Sequence, residues 1–280
     1  FEVFDADGKP LALYTGDYLA RDTKKGGAWM TSLRDAASFL EERPIVTNTL
    51  NITTPAPGDP ILLSMDEANT LFHEFGHALH GMFSSGKYAS LAGTSVPRDF
   101  VEFPSQVNEM WMLHEDVVTG YAVHHQSGEA LSEALIEKIR AASLWGQGFA
   151  TTEYLAASVL DWAWHTISAG TVIADPLQFE QDVLQQAGFD TELIPPRYRT
   201  GYFQHIFANG YSAGYYSYIW SEVLDADTVQ WFEEKGGLMR ENGNRFREEL
   251  LSRGNTRDPL ESYELFRGRT AVVEPLLRRR

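Results

Sequence analysis

The sequence predicts a mainly α-helical protein with a small β-sheet near its N-terminus. Three observations carry this prediction. Apolar and polar side chains alternate on either side of Asp7-Gly8 at the start of the chain, and beyond Pro60 the apolar residues shift to helical spacings of three and four. A hydrophobic content of 43% in 280 residues is ample for a buried core.

Taken in order, "FEVFDADGKPLALYTGDYLA" reads as a hairpin turning at Asp7-Gly8, and "IVTNTLNIT" at Ile45–Thr53 reads as a third strand. Residues 1–60 therefore form a small sheet region that ends in the loop Thr54–Pro60. Asp66 is the expected cap of a helix running on through Phe83. Further helices are expected near Phe103–His114, Ser132–Ala169, Asp175–Gln186, Tyr215–Lys235 and Arg240–Arg253. Turn-rich breakers lie at Ser84–Pro97, Thr191–Gly201 and Arg253–Pro259, but none has the length or bias of an interdomain linker. No repeat is visible, so residues 1–280 read as one domain with a helical body over 61–280.

Charge narrows the function. Lys plus Arg total 23 against 39 Asp plus Glu, a net charge of −16 that repels phosphate backbones and anionic lipid, so neither nucleic acid nor a membrane is an expected partner. No apolar run reaches the roughly 18 residues of a membrane span. No leader pattern is visible at the start, and the cytoplasm is the expected compartment. The opening on Phe1, in the middle of strand-like text, reads as a piece whose true N-terminus lies elsewhere. With no cysteine, strong metal ligands are limited to His, Asp and Glu. The terminal "LLRRR" reads as a frayed, solvated tip on an acidic body.

The chemistry concentrates in "LFHEFGHALHG", Leu71–Gly81. Residues four apart on a helix share a face at about 6 Å, so His73 and His77 can aim at one ion, the HExxH arrangement. Glu74 sits about 100° further round, placed to take a proton from water and not to ligate. Catalytic zinc takes three protein ligands and keeps one position open, so a third ligand is needed. Position 83, where a longer motif would place a histidine, is Phe83, and His80 stands where that motif needs glycine. The third ligand is therefore expected from "PRDFVEFPSQVNEMW", as Asp99, Glu102 or Glu109. A solvated helix face competes with the metal reading for the two histidines, but the apolar setting of Leu71, Phe72, Phe75, Ala78 and Leu79 makes an unpaired polar cluster costly. His80 lies a turn too far along and reads as a structural residue, and His114, His124, His125 and His165 read as ordinary surface or core histidines.

"LFHEFGHALHGMF", "SLAGTSVPRDFVEFPSQVNEMW", "PPRYRTGYFQHIFANGYSAGYYSYIWSEVL" and "ENGNRFREELLSRGN", in that order, resemble the thimet oligopeptidase family of zinc metallopeptidases over essentially the whole chain. "PRDFVEFPSQ" and "GYSAGYYSYIW" are similar to its bacterial peptidyl-dipeptidase branch more than to oligopeptidase A. The resemblance implies a zincin-like catalytic domain, one Zn²⁺ per chain held by His73, His77 and Glu102, and Glu74 as catalytic base. It also implies that His205, Tyr211 and Tyr218, on a glycine-rich loop, face the substrate carbonyl. The text between His205 and Tyr211 is one residue longer than the mammalian pattern and agrees with the bacterial one. Family members are more than twice as long, so the family's N-terminal helical portion, the opposite wall of a channel, is expected to be missing or supplied by a separate chain. The implied activity is hydrolysis of short peptides with release of C-terminal dipeptides. The alternatives are internal cleavage, as by an oligopeptidase, or a fragment that binds zinc and needs a partner chain. A tetrahedral intermediate carries an oxyanion that tyrosine hydroxyls stabilise well in a dry site. Dipeptide release also requires a cation for the free carboxylate: Arg98, Arg197 and Arg199 are candidates, with surface ion pairing the competing role for each.

Overall fold

The computed structural model describes all of residues 1–280. Four strands precede the helices: β1 (Glu2–Phe4), β2 (Pro10–Leu19), β3 (Trp29–Arg34) and β4 (Ile45–Ile52). The helices are α1 (Met65–Met82), α2 (Arg98–Val101), α3 (Phe103–Glu109), α4 (Glu115–Tyr121), α5 (Glu133–Ser143), α6 (Gln147–His165), α7 (Pro176–Gln186), α8 (Gln204–Phe207), α9 (Ser217–Glu234), α10 (Arg240–Phe246), α11 (Pro259–Arg267) and α12 (Glu274–Arg279). The chain is thus mainly helical with a small sheet near the N-terminus, as the periodicities predict.

The strands form one sheet in the order β1-β2-β4-β3. β1 and β2 are the expected antiparallel hairpin, and Gly8 takes the left-handed φ of 74° that its turn requires. β4 pairs with β2 in parallel and with β3 antiparallel, which leaves β1 and β3 as the two edges. The reading from sequence did not anticipate β3, whose short "WMTSLR" carries no clean alternation.

Helix α1 lies against this sheet, its Ala78 and Met82 packing on Ala12, Tyr14 and Val46. The cap is Ser64 and not the expected Asp66. The Ser64 hydroxyl accepts the Glu67 N–H at 3.1 Å, and the Glu67 carboxylate accepts the Ser64 N–H at 2.8 Å, a reciprocal capping box. Asp66 sits one residue into the first turn, where the helix dipole still favours its charge.

Several other boundaries differ from expectation for identifiable reasons. The stretch expected as one helix over Ser132–Ala169 is two, α5 and α6, because Gly146 takes a left-handed φ of 78° between them. Regular α-helix stops at Glu109, short of His114. The Arg240–Arg253 stretch is α10 followed by a π-helical turn over Arg247–Leu251. The "LLRRR" tip is not frayed: α12 buries Leu276, and Arg279 and Arg280 pair with Asp225 and Glu222 of α9.

The main core gathers Phe100, Phe103, Leu224, Trp231, Phe232 and Phe266 from α2, α3, α9 and α11. Between this core and the sheet, α1 and α3 meet at Gly76. A Cβ on that glycine would lie 2.6 Å from the Ser105 Cα and 2.8 Å from the Asn108 Cβ, so only hydrogen fits. Gly76→Ala should therefore lose stability despite alanine's better helix propensity, by about 1–3 kcal/mol for overpacking against backbone. Urea denaturation checks this, and a midpoint equal to or above that of the parent chain would contradict it.

Candidate metal centre and cleft

Two turns of α1 place His73 and His77 on one face, with their rings edge to face and centroids 4.9 Å apart. Glu102, between α2 and α3, comes to them across the Gly76 seam. Its Oε2 lies 3.2 Å from Nε2 of His73 and 3.2 Å from Nε2 of His77. One donor atom from each of the three residues falls within 4.8 Å of the other two. Two imidazole nitrogens and one carboxylate oxygen, converging from two elements with Glu102 only 4% exposed, match the donor set of catalytic zinc. The residues present fit a divalent cation.

Of the three carboxylates left open by the sequence, the other two have different partners. Glu109 Oε1 accepts from His73 Nδ1 at 2.7 Å, and its Oε2 accepts from Asn69 Nδ2 at 2.8 Å. It therefore orients the back of the imidazole, the role that outer carboxylates play around metal-binding histidines. Asp99 Oδ2 accepts the Tyr216 hydroxyl at 3.1 Å.

Glu74 is buried beside the cluster, with Oε2 lacking any hydrogen-bond partner. Burial pushes its pKa up; His77 and His73 counteract this, while Glu102 and Glu109 add to it. Its helix turn is fixed from the sheet side. Tyr14 donates to Asn48 Oδ1 at 2.8 Å, and Asn48 Nδ2 donates to the Glu74 carbonyl at 2.7 Å.

His73, Glu74, His77 and Glu102 line a cleft of about 1030 Å³, and so do His205, Tyr211 and Tyr218. The seven residues that the resemblance assigns to the metal and the chemistry thus share one cavity, which Asp99, Glu109, Arg197 and Arg199 do not line. Tyr211 and Tyr218 stack with centroids 5.3 Å apart and an interplanar angle of 16°. The Tyr211 hydroxyl donates to Glu102 Oε1. Burial, then the nearby Glu102 charge, raises the Tyr218 pKa well above the usual range, so its hydroxyl stays protonated and able to donate. The His205 ring lies about 6 Å from both tyrosines, its Nδ1 buried and unpartnered, and burial pulls its pKa down. His80 is 1% exposed, and burial lowers its pKa to about 3, which makes it a neutral core residue. His114, His124, His125 and His165 lie outside the cleft lining.

Two features of the cleft had no local signal in the sequence. The first is the wall from Lys25 to Met30, which leads into the edge strand β3. The second is Asp161 of α6, 1% exposed, whose Oδ1 and Oδ2 accept the N–H groups of Ala213 at 2.9 Å and Tyr215 at 2.8 Å. Oδ1 also lies 2.8 Å from His165 Nδ1. Ala213 holds a left-handed φ of 54°, unfavourable for a residue with a Cβ, and Asp161 holds the loop in that conformation. Tyr154 adds a second pin, donating to the Tyr215 carbonyl at 2.6 Å and accepting the Ile219 N–H at 3.1 Å.

A family model described as Peptidase family M3 matches residues 1–280. The chain is 48% identical over 280 residues to a dipeptidyl carboxypeptidase of Escherichia coli (strain K12), covering 100% of this chain and 41% of that protein. It is 35% identical over 282 residues to an oligopeptidase A of Salmonella typhimurium, covering 99% of this chain and 41% of that one. The chain thus spans about two fifths of the length of these curated relatives. A carboxypeptidase structure from Pyrococcus furiosus shares the fold, with a TM-score of 0.53 at 18% identity over 96% of this chain and 53% of that one.

Two outcomes follow from the geometry. Burial alone would lower the His73 pKa, but the Glu102 and Glu109 carboxylates override it and raise it to about 10. His73 is therefore protonated at neutral pH in the metal-free protein, and a cation needs it neutral, so zinc binding should expel about one proton and weaken as pH falls. Calorimetric titrations in buffers of different ionisation enthalpy should show that proton, and an enthalpy independent of buffer would refute it. Asp161→Ala should cost about 2 kcal/mol by stranding the buried Tyr215 N–H and the part-buried Ala213 N–H. It should also speed amide exchange at Ala213 and Tyr215, and unchanged exchange there would count against the anchor.

Proposed function

This chain belongs to peptidase family M3, and from that premise we propose that it carries the zinc centre of a peptidase that releases dipeptides from the C-termini of short peptides. The observation that carries the reading is the convergence of His73, His77 and Glu102 on one point, with an unpartnered Glu74 carboxylate oxygen beside it. His73, His77 and Glu102 would hold zinc, which when bound supplies Lewis-acid polarisation of a carbonyl and lowers the pKa of water toward about 7.

The side chains divide the remaining work. Glu74, its basicity raised by burial, takes the proton of the attacking water and passes it to the departing amine. Tyr218 donates to the oxyanion as charge develops there. Tyr211, whose single hydroxyl proton goes to Glu102, would turn from that carboxylate to be the second donor at that edge, and His205 lines the same wall. Glu109 keeps the His73 ring aimed into the cleft. The peptide pairs with the free edge of β3, whose leading residues already line the cleft, so main-chain hydrogen bonds hold it while side chains enter the cavity.

The likeness to dipeptidyl carboxypeptidase at 48% identity, against 35% for oligopeptidase A, favours release of dipeptides over internal cleavage. The cytoplasm remains the proposed compartment, and the remaining three fifths of the relatives' length the proposed source of the opposite wall of the cleft. No helix is long and apolar enough to cross a membrane.

Glu74→Gln should lower peptide hydrolysis by about 10²–10⁴-fold while leaving zinc content unchanged, because the residue is a base and not a ligand. His73→Ala should lose the metal itself. Metal analysis with mass spectrometry of the products from one unmodified peptide tests both statements. Loss of zinc from the Glu74 variant, or products cut only internally, would overturn the respective assignment.

A further inference from the structure

We infer that Arg98 is the residue that captures the free C-terminal carboxylate of the peptide and thereby sets the distance of the cut from the chain end. This rests on the peptidase reading above and adds to it the group that reads the terminus.

Of the three arginines the sequence offers, two are committed elsewhere. Arg197 Nη1 pairs with Glu153 at 3.1 Å, and Arg199 pairs with the buried Glu180 carboxylate. Arg98 lines the cleft and makes no ion pair or side-chain hydrogen bond within the chain, so its five N–H donors remain available. Although Arg98 is exposed, its side chain is restrained. The guanidinium lies over the Tyr211 ring with Cζ 5.1 Å from the centroid, a stacking contact that restrains the side chain without using its in-plane donors. On the loop beside it, a Cβ at Gly210 would lie 2.5 Å from Nη2 and 2.9 Å from Cζ and Nε, so glycine there makes the room the guanidinium occupies.

The same tyrosine links this cation to the reaction centre, because its hydroxyl donates to Glu102. One aromatic ring and a stacking gap thus separate the fork from a predicted metal ligand. An extended dipeptide is about 7 Å long, the reach the proposal requires between this guanidinium and the scissile carbonyl. The need for a cation is strong. Glu74, Glu102 and Glu109 crowd the site and the chain carries a net charge of −16, so a terminal carboxylate is repelled unless a local cation receives it. Lys25 is the other Lys or Arg in the cleft lining, at the entry to β3; it is exposed, as Arg98 is, but no aromatic ring or glycine notch holds it.

The test compares a peptide acid with its C-terminal amide, as kcat/KM and as calorimetric binding of the dipeptide acid and dipeptide amide to the zinc-loaded chain. It uses the parent, Arg98→Ala, Arg98→Lys and Lys25→Ala. The parent should prefer the acid in both measurements. Arg98→Ala should cut that preference about tenfold or more through KM and dipeptide affinity, Arg98→Lys should restore part of it, and Lys25→Ala should retain it. Preference retained in Arg98→Ala, or lost in Lys25→Ala, overturns the assignment. A parent chain that turns over neither peptide sinks the peptidase reading instead, and the binding measurement then still decides the role of Arg98.

Discussion

The close approach of α1 and α3 at Gly76 is the constraint on which the site depends. His73 and His77 belong to one helix and Glu102 to the start of another element, and a carboxylate is a short arm. It reaches both Nε2 atoms at 3.2 Å because the two backbones meet with only a hydrogen between them. The glycine between the two histidines of the motif is therefore a packing residue whose effect is chemical. With the seam opened, the three donors would belong to two helices with nothing in common.

Around that seam, several polar side chains have partners that fix their direction. Asn108 Nδ2 donates to the Phe72 carbonyl at 2.7 Å, tying α3 to α1 a second time. Glu109 and Asn69 fix the back of His73, and Asn48 and Tyr14 carry the restraint into the sheet. The sheet, though small, thus acts on the site by holding the helix that carries the histidines. On the far side, Asp161 and Tyr154 hold the tyrosine loop from α6, so the two walls of the cleft are anchored on separate parts of the fold.

What was legible in the sequence follows from the range of each signal. The two histidines and Glu74 were readable because helical period alone puts them together. Spacing narrowed the third ligand to three carboxylates within one short stretch and the family resemblance pointed to Glu102; in the fold, tertiary contacts separate them, since Tyr216 engages Asp99 and Glu109 turns to the rear of the ring. Asp161 gave no sign, since a lone aspartate in helical text looks the same whether it faces solvent or holds a loop 52 residues away. β3 was missed because its pairing with β4, and not its own pattern, makes it a strand. The terminal arginines read as solvated because their partners Asp225 and Glu222 lie more than 50 residues back along the chain.

The outer side of β3 presents backbone donors and acceptors with no neighbouring strand to meet them. Such a border is indifferent to the order of side chains and sensitive to whether a visiting chain still has its own amides free. Folded proteins have already committed theirs to internal partners. Under the proposed peptide pairing, a ledge of this kind would favour unstructured polypeptides before any residue is recognised.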